Sequence, residues 1–137
     1  MSFTHVRWSL AVATMLSLGG CDSGSSGASA SPEAAYLQHC SACHQPQGRG
    51  LAGAFPPLAA SDWLRAASSE ETIGLVLRGR AGPMRVNGVD YNGAMPAFAH
   101  LDDTTVADVL NHVYASWGND GRRVSPAEVA AERGAAR

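Results

Sequence analysis

The sequence predicts a small all-α domain carrying one short β-hairpin, on three observations. Capped stretches with apolar residues at helical spacing occur near residues 32–40, 69–78 and 103–117. Asn87-Gly88 stands between Val86 and Val89, the preferred pair for a two-residue hairpin turn because both residues tolerate positive φ. Glycine- and proline-rich segments separate these elements. The 137 residues, 45% hydrophobic and 16% charged, fit one small domain with appendages and exclude a long disordered polymer. All ten basic residues are arginine and the formal net charge is −2. Without a basic excess or a basic run, nucleic acid is excluded as a partner.

The first helix starts at Ser31-Pro32-Glu33, which supplies a hydroxyl cap, a proline at the first helical position and an acid in the first turn. It carries Tyr36, Leu37 and Cys40 on neighbouring turns and delivers Cys40-Ser41-Ala42-Cys43-His44 at its end. Two thiols three apart with histidine directly after the second form the attachment sequence for a covalent c-type haem. On a helical turn both thiols lie on one face, so Cys40 and Cys43 can each bond one vinyl group of a single porphyrin. His44 is then held under the iron as its proximal ligand. A redox dithiol does not require that histidine, and a zinc site lacks a second ligand pair.

Residues 45–54 are too rich in glycine and proline for helix or strand. Ser61-Asp62-Trp63-Leu64 suggests a short helix, with Trp63 as core packing. Ser68 and Glu71 form a capping box for the next helix, where Ile73, Val76 and Leu77 repeat at helical spacing and Gly79 closes the end. Arg78, Arg80 and Arg85 are the expected partners for haem propionates or are solvated surface arginines. The hairpin follows; because an isolated hairpin is marginal in water, it must lean on something, and the haem edge is the available surface.

Met95-Pro96 comes next. Proline biases Met95 towards extended backbone, placing its thioether on a stiff loop as candidate distal ligand, and Gly93 allows close approach of backbone to porphyrin. Met84 is the rival ligand. Asp102 caps a helix over 103–117 whose face is Val106, Val109, Leu110, Val113, Tyr114 and Trp117, closed by Gly118. His112 falls on the polar side and His100 in a loop; both read as surface histidines. A last helix, 126–133, is capped by Ser125 and Glu128 and has few large apolar groups, so it is expected on the surface or frayed.

The N-terminal residues read as an address. Trp8 to Leu18 is an apolar run too short to span a bilayer and of the size of a signal core. Leu18-Gly19-Gly20-Cys21 resembles a bacterial lipobox, which makes 1–20 a lipoprotein signal peptide and Cys21 the lipid anchor. The alternative is cleavage after Ala30, releasing a soluble periplasmic protein. Residues 21–31 form a Gly/Ser tether expected to behave as flexible coil. The working domain is then 32–118, with 119–137 as a C-terminal tail.

In this order of elements the chain resembles the class I monohaem c-type cytochromes over about residues 32–118. The resemblance implies that family's fold, helices wrapped around one covalent haem c with His44 and Met95 as axial ligands. Phe55-Pro56-Pro57-Leu58 resembles the family's Pro-x-Leu stretch, whose proline carbonyl accepts the free ring N–H of the proximal histidine; of the two prolines, Pro56 is preferred. The run from Val86 to Phe98, with Tyr114 to Asn119, is similar to cytochromes that accompany bacterial nitrite reductases, quinoprotein dehydrogenases and terminal oxidases. The implied function is outer-sphere electron transfer in a respiratory or dehydrogenase-linked chain, as an exported monomer between redox protein partners. A fixed subunit of a larger oxidoreductase, or a haem enzyme or gas sensor, are the alternatives.

Overall fold

The computed structural model describes Met1 and residues 31–135; the signal segment, Cys21 and most of the tether lie outside them. Helix α1 (Pro32–His39) begins at Ser31, whose hydroxyl accepts from the Ala34 amide. Its geometry breaks at Cys40, and a single turn, α2 (Ser41–His44), carries the rest of the motif. Helix α3 (Asp62–Ala66) is capped by Ser61, and α4 (Ser69–Arg78) starts at the capping box expected of Ser68 and Glu71 and stops at Gly79, φ 72°.

Strands β1 (Arg80–Val86) and β2 (Val89–Met95) pair antiparallel around Asn87-Gly88, where φ is 49° and 78° as the sequence requires. The register places Arg80 opposite Met95, Gly82 opposite Gly93 and Met84 opposite Tyr91. Directly paired residues share a sheet face, so these six side-chain positions look the same way. The hairpin tip is hooked to α3 by a reciprocal pair: Asp62 N–H donates to Asn87 Oδ1 at 2.9 Å and Asn87 N–H to Asp62 Oδ1 at 2.7 Å.

Helix α5 (Asp103–Ala115), capped by Asp102, buries Val106, Val109, Leu110, Val113 and Tyr114 as its periodicity predicts. It ends two residues before the predicted 117. Trp117 leaves the helix with φ 52° and its carbonyl accepts from the Ala60 amide, while its ring packs against Tyr36 at 5.1 Å between centroids. His112 is a correction to the surface reading. The crossing of α5 over α1 sets its half-buried ring 5.0 Å from Tyr36 and 5.2 Å from Trp117, and burial lowers its basicity against a smaller opposing pull from Glu33.

The last helix also departs from expectation. Helix α6 (Pro126–Ala135) is docked, with Val129 fully buried and Val124 nearly so, both in the cluster formed by α4 and α5. Its large apolar groups are few, but Val129 on the helix and Val124 just before it are both buried, and a buried valine contributes about 1.5 kcal/mol or more. Arginine contacts described below complete the attachment.

Candidate functional site

One apolar cleft brings the predicted site together. Cys40, Cys43 and His44 line it from the α1–α2 break, Pro56 and Leu58 from the following loop, Trp63 and Leu64 from α3, and Val109, Leu110 and Val113 from α5. The hairpin forms its other wall through Arg80, Gly82, Met84 and Val86 of β1 and Tyr91, Gly93, Ala94 and Met95 of β2, all but Ala94 from one face of the register. The hairpin therefore leans on the cleft, as its marginal stability alone demands.

His44 is oriented by its neighbours. Its Nδ1 lies 3.0 Å from the Pro56 carbonyl oxygen. A carbonyl only accepts, so Nδ1 carries the hydrogen and Nε2 keeps the lone pair that a metal needs. Burial lowers the basicity of the ring, with the Pro56 bond pulling the other way; the neutral, ligating form is the one favoured. Tyr36 fastens the turn from behind, its hydroxyl donating to the Gln45 carbonyl at 2.6 Å. Burial holds that hydroxyl protonated well above the usual tyrosine range.

Cys40 and Cys43 are free thiols, both half-buried. Burial, with Cys43 close by, pushes the Cys40 thiol up to about 11. Redox-active Cys-x-x-Cys pairs depress a thiol instead; burial acts on Cys40 in the opposite direction. Among the described residues no three His, Cys, Asp or Glu side chains converge as a metal site. A planar, largely apolar group with a central metal fits the donor set: two thiols on adjacent turns, an imidazole with its outer nitrogen free, two thioethers, and mostly apolar walls with Arg80 among them.

Two glycines guard the axial candidates, and neither was singled out for this from sequence. A Cβ on Gly50, φ 64°, would meet the Phe55 carbonyl oxygen at 2.3 Å and that of Pro56 at 2.7 Å, and the Gly50 amide donates to His44 O at 2.9 Å. A Cβ on Gly79 would meet Met95 O at 2.5 Å and Ala97 N at 2.8 Å. Backbone passes so close at both places that only glycine fits. Gly79 was legible as a helix terminator, but its contact with Met95 joins segments sixteen residues apart.

Of the three arginines expected near the propionates, only Arg80 lines the cleft. Arg78 pairs with Glu132 at 2.7 Å and Arg85 with Asp90 at 2.8 Å. Met84 shares the cleft with Met95, and His100 lies outside it with its ring 6.0 Å from Phe98. Asn119 was missed: its side-chain amide donates to Leu58 O at 2.9 Å and Val113 O at 2.8 Å, and its Oδ1 accepts from Ser61 N–H. It pins the proline loop to the end of α5.

Comparison with known proteins gives the same picture. The family model for cytochrome c matches residues 30–117. Cytochrome c-552 of Thermus thermophilus is 44% identical over 92 residues, covering 65% of this chain and 69% of that protein, or 61% of a second form from the same species. The cytochrome c subunit of a quinone alcohol dehydrogenase from Gluconobacter oxydans is 35% identical over 86 residues, 62% of this chain but 18% of the subunit. That of gluconate 2-dehydrogenase from Pantoea cypripedii is 36% identical over 92 residues, 64% of this chain and 20% of the subunit. The chain thus spans about a fifth of each dehydrogenase subunit it matches.

Proposed function

Because the chain belongs to the cytochrome c family, as a class I monohaem c-type cytochrome that transfers electrons and is not itself a catalyst, we propose that it is an exported one-electron carrier. In this reading Cys40 and Cys43 hold the haem, and His44 and Met95 are its axial ligands. The group supplies a ferric/ferrous couple. His44 presents Nε2 to the iron because Pro56 holds Nδ1–H, a bond that sets the tautomer and raises ligand basicity. Met95 contributes a thioether, which favours the reduced state. With His44 and Met95 both holding the group, no position would be left for a substrate, and the largely apolar walls would limit the approach of water.

The observation that carries the reading is the meeting of Cys40, Cys43, His44 and Met95 in one apolar cleft. A potentiometric titration of the purified holoprotein should follow a single one-electron curve, about 59 mV per decade, and carbon monoxide should leave the reduced spectrum unchanged. A high-spin reduced spectrum that takes up carbon monoxide stoichiometrically would make the protein an enzyme or sensor instead. The likeness to two dehydrogenase cytochrome subunits favours one further reading, a fixed subunit; a partner co-purifying in stoichiometric amount would select it.

For localisation we infer export to the periplasmic face of a membrane, with Cys21 acylated and residues 21–31 as tether in a respiratory or dehydrogenase-linked chain. Among the described residues no helix is long and apolar enough to cross a membrane. Cells fed a palmitate analogue should yield labelled protein in the membrane fraction, and Cys21→Ser should be unlabelled and released. Label retained by Cys21→Ser would disprove the assignment.

A further inference from the structure

Between Met95 and α5 the chain runs through seven residues, Pro96 to Asp102, of which only Phe98 and Leu101 pack against the core. So few apolar contacts leave a segment easy to open locally. At its near end it is held by α4: Phe98 N–H donates to Val76 O at 3.0 Å, and Gly79 lies against the Met95 backbone. At its far end the restraint comes from Arg133 on α6. Its Nη1 donates to Ala99 O at 2.6 Å, its Nη2 to Leu101 O at 2.7 Å and its Nε to Asp103 Oδ1 at 2.9 Å. One rigid guanidinium fork thus fastens two loop carbonyls to the first residue of α5, a task a point charge cannot match. The Arg133 and Asp103 side chains are 26% and 33% exposed, so water competes only partly for these bonds. Residue 133 also lies beyond the segment, 30–117, that the family model matches.

We propose that Arg133 is a positioning residue for the methionine loop, keeping Met95 seated towards the iron; the inference rests on the assignment of Met95 as ligand. Imidazole can replace a methionine ligand only when the loop opens, so its apparent affinity follows the open fraction.

Arg133→Gln in the ferric holoprotein should bind imidazole about tenfold more tightly, and the Phe98 amide should exchange its hydrogen about tenfold faster, the effect expected of losing charge-assisted contacts from the closed state. Arg133→Lys, which can restore one contact, should fall between. Glu132→Gln, which removes the charge from the neighbouring contact of α6 with Arg78 without touching the loop, should leave both readouts near the unmodified values. The proposal is overturned if Arg133→Gln changes neither readout, or if Glu132→Gln changes them equally, which would make α6 a general packing element. Should Met95→Ala bind imidazole no more tightly than the unmodified protein, the ligand assignment fails independently of Arg133.

Discussion

Met95→Ala abolishes the low-spin spectrum with its methionine-to-ferric charge-transfer band, and lowers the midpoint potential by on the order of 0.1 V or more, within the roughly 0.8 V that axial ligands command. The expectation rests on position. Met95 is half-buried at the end of β2, opposite Arg80, with its own carbonyl pressed against Gly79. Met84 faces the same cleft but pairs with Tyr91. Four residues along β1 separate it from the Arg80–Met95 pair, roughly 13 Å at about 3.3 Å per residue, so the two sulfurs cannot serve one point without moving the hairpin. Met84→Ala should therefore keep the band. Loss of the band in Met84→Ala and its retention in Met95→Ala would reverse the assignment.

Gly50→Ala should lower the unfolding free energy of the holoprotein by roughly 2–4 kcal/mol, combining about 1–2 for a left-handed backbone with the cost of overpacking. The added methyl would collide with two carbonyl oxygens that cannot rotate aside, and one of them is the acceptor for His44. The same methyl group should therefore shift the midpoint potential through the histidine, whereas Gly53→Ala, where φ is also positive but nothing lies within 4 Å, should show only the backbone cost. Denaturant titration and potentiometry on both variants separate the two contributions. Equal losses at positions 50 and 53, with no change in potential at either, would show that the Pro56 carbonyl yields freely.

What could be read from the sequence was local. The caps at Ser31, Ser68 and Asp102 and the Asn87-Gly88 turn each depend on residues within four positions of one another, and each formed as expected, whereas the helix leading into the Cys40–His44 motif breaks at Cys40. Pro56 was preferred over Pro57 from a resemblance, and its carbonyl is the one beside His44. The rest depended on distance in the chain. His112 lies on the polar side by periodicity, yet the crossing of α1 and α5 surrounds it with aromatic rings. Arg133 reaches carbonyls more than thirty positions away, and nothing in the spacing of Val124 and Val129 announces that α6 will dock. Gly50 and Gly79 were legible as breakers of regular structure, but their near contacts exist only once the loops have closed.

Leu64, Val76, Leu110 and Val113 belong at once to the core cluster and to the cleft wall. Trimming any of them removes packing and also alters the shell that tunes the metal. Thermal robustness and redox poise are thereby tied together in this part of the sequence: a change that trims one of these four side chains acts on both at once.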